Sequence, residues 1–450
     1  MLQFEIGKLF LRQYNSETGQ DLSAEEFFKQ EYFDIFFNHP QYLQWVINSP
    51  LIKQTRTERI EKLNNAQRQN RLKILDEKIE TMEPDGSFAI GFPASESSKF
   101  ATTSGCVSEF DVHYSKDDIY ASWIGSGLGI GLSGGYCILP DDPKLLMIIY
   151  EGWKVYREYV NNEDIPIKDK QINSWNGQYL NYILKHKVPD FEKMFESGMF
   201  KEDKKILRVD TLDWNRLYFT ILRHHSVEPI NCYVYLLGQM NKTVGIIPFD
   251  FEIGKQLLQK FADNYGPFYE EDIVENIFGL SLSKACEYGI IDIRSLRPKK
   301  IMTYTIEKNL RLKKPVIKYK NNEEEEDFQI RKQNLLNKDK INLITYYCYK
   351  TWLAMVQNKE NLQDYTEKVA KILFEYSNKS EKKKQVLELL SSKTRREFID
   401  TLSSIVAKID AKFLGDVKEL MVEVHKTSPD NFRYFLSMIN FSYAFVERDN

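Results

Sequence analysis

Apolar positions recur at helical spacing after Asp142-Pro143, where Leu145, Leu146, Ile149, Trp153, Tyr156 and Tyr159 fall toward one face. An acidic N-cap followed by proline at the first helical position predicts that helix start. A second start stands at Asp21-Leu-Ser-Ala-Glu-Glu, with Ser23 as N-cap and acidic residues in the first turn. Phe27, Phe28, Phe33, Phe36 and Phe37 then follow at near-helical spacing, and Pro40 and Pro50 punctuate. From Leu51 to Met82 the pattern predicts one long polar helix with a thin apolar stripe at Ile60, Leu63, Leu72, Leu75 and Ile79. Eight cations, from Lys53 to Lys78, ride on it.

Over residues 83–140 glycine, serine, threonine and alanine dominate and the helical period disappears, until Tyr136-Cys-Ile-Leu139 reads as a strand. Three further strands are predicted at Arg216–Leu222, Cys232–Leu237 and Val244–Phe249, the last two joined by a hairpin loop at 238–243. Residues 251–290 return to helix. A charged, proline-interrupted stretch at 313–330 reads as a linker, and 331–450 is helical pattern with no proline before Pro429. No repeat of 20–50 residues emerges. The expected fold class is α+β: a helical N-terminal part of the body (1–82), a mixed body with a short antiparallel sheet (83–312), the linker, and a basic C-terminal helical bundle (331–450).

At 450 residues the chain has room for about two or three domains with a large core. Its apolar runs reach about six residues, against the ~20 of a membrane span. The first twenty residues lack the marks of a signal peptide, so a cytoplasmic protein without membrane contact is expected. Five scattered cysteines with no C-x-x-C pair speak against a disulfide framework or zinc finger; small buried hydrophobes is the plainer reading. The overall charge of −3 conceals an asymmetry: residues 331–450 hold 21 Lys or Arg against 16 Asp or Glu, a balance of +5 that leaves −8 elsewhere.

The segment Trp123-Ile-Gly-Ser-Gly-Leu-Gly-Ile-Gly-Leu-Ser-Gly-Gly-Tyr136 places six glycines in eleven residues, 125–135. Such a run lets a backbone approach something closely and offers N–H groups to it. Gly129, Gly131 and Gly134 spell a dinucleotide fingerprint, yet a strand rather than a helix follows. Gly131-Leu-Ser133-Gly-Gly135 spells a nucleophile elbow with the same defect. The open readings are close packing of elements and backbone contact with a phosphate. A Pro189-Asp190 and Glu202-Asp203-Lys204 nuclease spelling arises easily by chance, and His224-His225 on a strand would face opposite ways. In Gln171-Ile-Asn-Ser-Trp-Asn-Gly-Gln178 the amides beside Trp175 suit base edges, the alternative being a tryptophan packed in the core. Besides 51–82, cations cluster at 294–320, with Lys299 and Lys300, and at Lys382, Lys383, Lys384, Lys393, Arg395 and Arg396. These suit phosphates, or a solvated face.

An irregular N-terminal body with Gly- and Ser-rich loops (Ala101-Thr-Thr-Ser-Gly105 and 123–136), no catalytic constellation, and a basic helical bundle of about 120 residues: this order resembles the large subunit of type I CRISPR Cascade complexes. The resemblance implies a non-catalytic subunit in antiviral defence that needs no cofactor. Its body would hold the crRNA end and probe the PAM in target double-stranded DNA, while its bundle lines the displaced strand. Other Cascade subunits and a recruited helicase–nuclease would be its partners. Lys99, Ser126, Gly127, Gly129, Gly131, Ser133 and Asn176 are expected near the duplex-reading or RNA-end site. Lys299, Lys300, Lys382, Lys383, Lys384, Arg395 and Arg396 are expected on strand backbones. The alternatives are an enzyme acting on a nucleotide or phosphorylated substrate at the glycine segment, and a protein–protein scaffold.

Overall fold

Burial of the chain's aromatic residues organises two units, one made of Met1–Phe251 with Ser281–Asp292, the other of Glu252–Leu280 with Ile293–Asn450. The structure, a computed structural model, describes residues 2–46, 49–52, 63–81, 115–225, 228–237, 242–266, 269–298, 317–320, 323–359, 361–377 and 380–449. The class is α+β: N-terminal helices, a short antiparallel sheet, and a helical C-terminal end. Among the described residues no helix is long and apolar enough to cross a membrane.

In the first unit α1 (Leu2–Thr18) is followed by α2 (24–36), which is α-helical at Ala24–Phe27 and Phe33–Phe36 with a π-helical turn at Phe28–Tyr32 between them. Ser23 caps α2 as expected: its hydroxyl accepts from the Glu26 amide, and Glu26 returns a carboxylate to the Ser23 amide. α3 (Asn65–Thr81) covers the C-terminal part of the long polar helix; its residues 53–62 lie outside the described residues. α5 (Pro143–Asn161) starts where Asp142 accepts from the Leu145 amide. The buried faces of these helices meet in one aromatic core. Phe10 and Tyr14 of α1 contact Phe27 and Tyr150 at ring distances of 4.9–5.5 Å, and Trp153 sits edge-on to Phe36 at 4.8 Å.

Two readings of the central region need correction. The glycine segment begins as helix α4 (Lys116–Gly127), capped by Ser115. Residues 216–222 are helix α8 (Trp214–His224), with Trp214, Leu217, Tyr218 and Ile221 buried at helical spacing. The sheet has the order β1 (Ile130–Leu132), β2 (Tyr136–Pro140), β5 (Ile230–Leu236), β6 (Lys242–Phe249), every pairing antiparallel. A three-residue loop joins β1 to β2, with Leu132 opposite Tyr136; Gly134 (φ 90°) and Gly135 (φ 78°) adopt the left-handed backbone that turn demands. β3 (Phe200–Asp203) and β4 (Ile206–Val209) form a separate hairpin. α6 (Ile172–His186) lays its small and amide side chains on β1, and α7 (Phe191–Glu196) starts at Asp190, which caps it.

The second unit begins earlier than the bundle read from the sequence, because α9 (Phe251–Tyr265) and α10 (Glu271–Ile277) belong to it, whereas α11 (Leu282–Tyr288) belongs to the first. Nor is 325–330 linker: it opens the 32-residue helix α12 (Glu325–Val356). Arg331 reaches back to Glu323 at 2.6 Å and to the Lys318 carbonyl at 2.9 Å, and that guanidinium holds the Glu323 carboxyl down to about 2. α13 (Leu362–Ser377), α14 (Ser380–Leu390), α15 (Arg395–Val406), α16 (Leu414–Lys426) and α17 (Pro429–Asp449) complete it. Its core includes Leu353, Leu373, Phe435, Ile439 and Tyr443, and the buried Trp352 donates to the Ile293 carbonyl at 2.8 Å.

Candidate nucleic-acid interface

The glycine segment is an internal joint. Cβ atoms placed on Gly7 and Gly125 would stand 2.0 Å from the Ala121 carbonyl oxygen and 1.9 Å from that of Gln3, so α1 and α4 cross backbone to backbone. Gly127 lies under the Tyr32 ring, Gly129 against Cys137, Asn173 and Tyr235, and Gly131 against the backbone of Asn173 and Ser174. The polar groups are spent there too. Asn176, fully buried, donates its amide to the carbonyls of Gly127 (2.7 Å) and Gly129 (2.9 Å). Ser126 accepts from Gln44, which in turn accepts from the Tyr32 hydroxyl at 2.8 Å. The Ser133 amide donates to Leu212, and its hydroxyl stands 3.4 Å from that of Thr211.

Ser126, Gly127, Gly129, Gly131 and Asn176 are therefore corrected: they are buried packing groups and present nothing to a duplex or an RNA end. Close element packing, the other reading of the segment, is what the geometry shows. Trp175 is likewise fully buried, stacked on Tyr156 at 4.9 Å. Lys99, Lys299 and Lys300 lie outside the described residues. His225, at the end of α8 rather than on a strand, pairs with Asp142 at 2.9 Å. Cys137, Cys232 and Cys348 are buried free thiols, and burial pushes that of Cys137 up to about 12. Among the described residues no group of three or more His, Cys, Asp or Glu is placed to hold a metal ion.

The cations of the C-terminal unit sort into held and presented. Lys359 and Lys426 share Glu423; burial pushes that carboxyl up, and the hydrogen bonds from the two lysines outweigh it, leaving it low. Lys368 pairs with Asp416, whose hydrogen bond raises the amine, and Lys412 pairs with Glu375. Arg395 turns away from solvent to donate to the carbonyl of Thr427 (2.9 Å) beyond the C-terminal end of α16. Lys383 pairs with Glu447 at 2.7 Å. What remains on this stretch is Lys382, half-buried with its ammonium 4.7 Å above the Tyr376 ring, together with exposed Lys384, Lys393 and Arg396. The side chain of Arg396 is 92% exposed, 3.9 Å from Asp400. Six expected cations thus reduce to four available ones, counting Lys393.

No protein family, curated protein or solved structure matches the chain.

Proposed function

We propose that the protein is a non-catalytic, cytoplasmic nucleic-acid-binding subunit of an RNA-guided DNA surveillance complex, of the kind built around the large subunit of type I CRISPR Cascade. One observation supports it most: Lys382, Lys384, Lys393 and Arg396 fall within residues 382–396, on α14, the turn after it and the start of α15, and among the described residues none of their side-chain cations pairs with a carboxylate closer than 3.9 Å, the Glu397 carboxylate being held by the Lys393 backbone amide. Lys382 to Leu390 spans about 12 Å of helix, the length of roughly three or four phosphates along one strand of duplex. Cations spaced so can fix a backbone in place without reading sequence, which in such a complex is the work of guide pairing. crRNA, target double-stranded DNA, the other subunits and a helicase–nuclease are the partners this reading names. The order of a mixed body followed by a cationic helical unit supports the family assignment.

The test is a salt titration of DNA binding with all four cations changed to Glu. Four phosphate contacts contribute about −3 to −4 to the slope of log affinity against log salt, so the slope should flatten by about that much. An unchanged slope overturns the interface. Affinity purification from the native cells, with RNA sequencing and mass spectrometry, should recover repeat-derived small RNA and several further subunits. A nucleic-acid-free chain would instead favour a protein scaffold.

A further inference from the structure

Between Ile344 and Val356 helix α12 is rich in buried aromatic side chains and carries a single charge, Lys350. That lysine is buried with its neighbours, at 7% exposure. Among the described residues its ammonium makes no hydrogen bond and no ion pair; a Tyr265 ring stands 5.8 Å away. Lys350 lines a cavity of about 740 Å³ walled by α12, α13 and α17. A cavity of this size holds a small organic molecule.

The walls are aromatic. Tyr346 stacks on Phe441 with ring centres 3.6 Å apart, Tyr347 stacks on Tyr265 at 4.2 Å, and Phe374 and Phe445 also line the space. Such surfaces favour a planar ring over an aliphatic chain. The charged groups select further. A buried cation without a counter-ion is costly, and an anion seated on it relieves that cost. Burial pushes the Lys350 amine down to about 8, against the raising influence of Glu367 and Asp364 on α13; the Tyr265 ring of α9 faces it, and Tyr347 of α12 lines the same cavity. Glu367 and Glu375 also line the cavity, balanced by Lys371 in the lining and by Lys412 paired with Glu375, which leaves the one positive charge of Lys350 to match one negative charge and not several.

We propose that this cavity binds a small planar aromatic acid bearing one negative charge, its ring among Tyr346, Tyr347 and Phe441 and its acid group on the Lys350 ammonium. The site is separate from the α14–α15 cations and does not rest on the nucleic-acid reading.

Calorimetry on the full chain with 2-naphthoate as probe, and with the neutral 2-naphthylmethanol and ATP as comparators, tests it. At pH 7 the acid should bind about tenfold more tightly than the alcohol, the increment of one charge-assisted contact. At pH 8.5 its binding should draw in a proton, read as a heat that depends on the buffer. Lys350→Met removes a buried charge and so should fold; in it the acid should fall to the affinity of the alcohol, with the alcohol unchanged. Phe441→Ala should weaken both. No binding of the acid, equal binding of acid and alcohol to the native chain, an unaffected Lys350→Met variant, or tighter binding of ATP would each overturn the proposal.

Discussion

Gly125→Ala should destabilise the first unit although alanine is the better helix former. In an open helix the change gains about 1 kcal/mol. Here the new Cβ would lie 1.9 Å from the Gln3 carbonyl oxygen, where real contacts stop near 3.0 Å, so α1 must retreat by at least the difference, 1.1 Å. No rotamer change helps, because both sides of the contact are backbone. A gap of about 1 Å forfeits up to half of each dispersion contact along the crossing, and overpacking of this kind costs about 1–3 kcal/mol or more. Set against the propensity gain, the net loss should be roughly 1–2 kcal/mol. Gly7→Ala meets the Ala121 carbonyl at 2.0 Å and should cost a similar amount. Once the helices have parted for one methyl group the second is cheaper, so the double variant should fall short of the sum by about 0.5 kcal/mol or more. Gly415→Ala in α16, with nothing within 4 Å of its Cβ, is the control and should be neutral or stabilising. Urea unfolding with hydrogen exchange reports the units separately, and Trp352 is the one tryptophan of the second unit. A Gly125→Ala midpoint at or above that of the native chain refutes the close crossing.

Three other outcomes follow from buried charge. Arg157 donates to the carbonyls of Ile35 (2.7 Å), Gln41 (3.0 Å) and Phe36 (3.4 Å), so Arg157→Leu should cost about 2–4 kcal/mol in urea unfolding, and Arg157→Lys, with no planar fork to span them, should recover little. The imidazole of His39 is pushed down to about 4 by burial and by Arg157 and Arg68. Between pH 4 and about 6.5 the unfolded chain then binds the extra proton, so its contribution is complete above 6.5 and is lost toward 4; His39→Asn should remove that slope, by up to about 1.4 kcal/mol per pH unit, from the pH profile of the first unit. Lys350 acts higher on the scale: its penalty is in full force below pH 8 and relieved as pH rises toward 10.5, so Lys350→Met should stabilise the second unit by about 2–3 kcal/mol at pH 7 and by little at pH 10. A stability difference independent of pH would contradict the assignment.

Local chemistry made several elements legible. The Ser23 capping box and the Asp142-Pro143 start are decided within four residues, and the pairing of β5 with β6 follows from two apolar runs and a short loop. Residues 216–222 misled because aromatic and β-branched side chains suit a strand, although Trp214, Leu217, Tyr218 and Ile221 keep the helical spacing that α8 buries. The glycine segment misled for a different reason. Glycine weakens a helix by itself, and only the approach of α1, contributed by residues over a hundred positions earlier, makes its lack of a side chain an advantage. The Lys350 cavity did leave a signal: one lysine within Tyr346-Tyr-Cys-Tyr-Lys-Thr-Trp352. Its meaning depends on α13 and α17, which no local pattern supplies.

Arg395 and Arg396 show how the structure separates charges that look alike in sequence. Both open α15, where the helix dipole disfavours cations by about 0.3–1 kcal/mol each. Arg395 recovers that cost by satisfying the Thr427 carbonyl beyond the end of α16, a place where a cation is favoured. Arg396 recovers little: its side chain is 92% exposed and its i,i+4 partner Asp400 stands 3.9 Å away. Thr394 and Glu397 already cap this end of α15, the Thr394 hydroxyl accepting from the Glu397 amide and the Glu397 carboxylate from that of Lys393. Stability therefore accounts for Arg395, and Arg396 is left as one of the four cations on which the proposed interface rests.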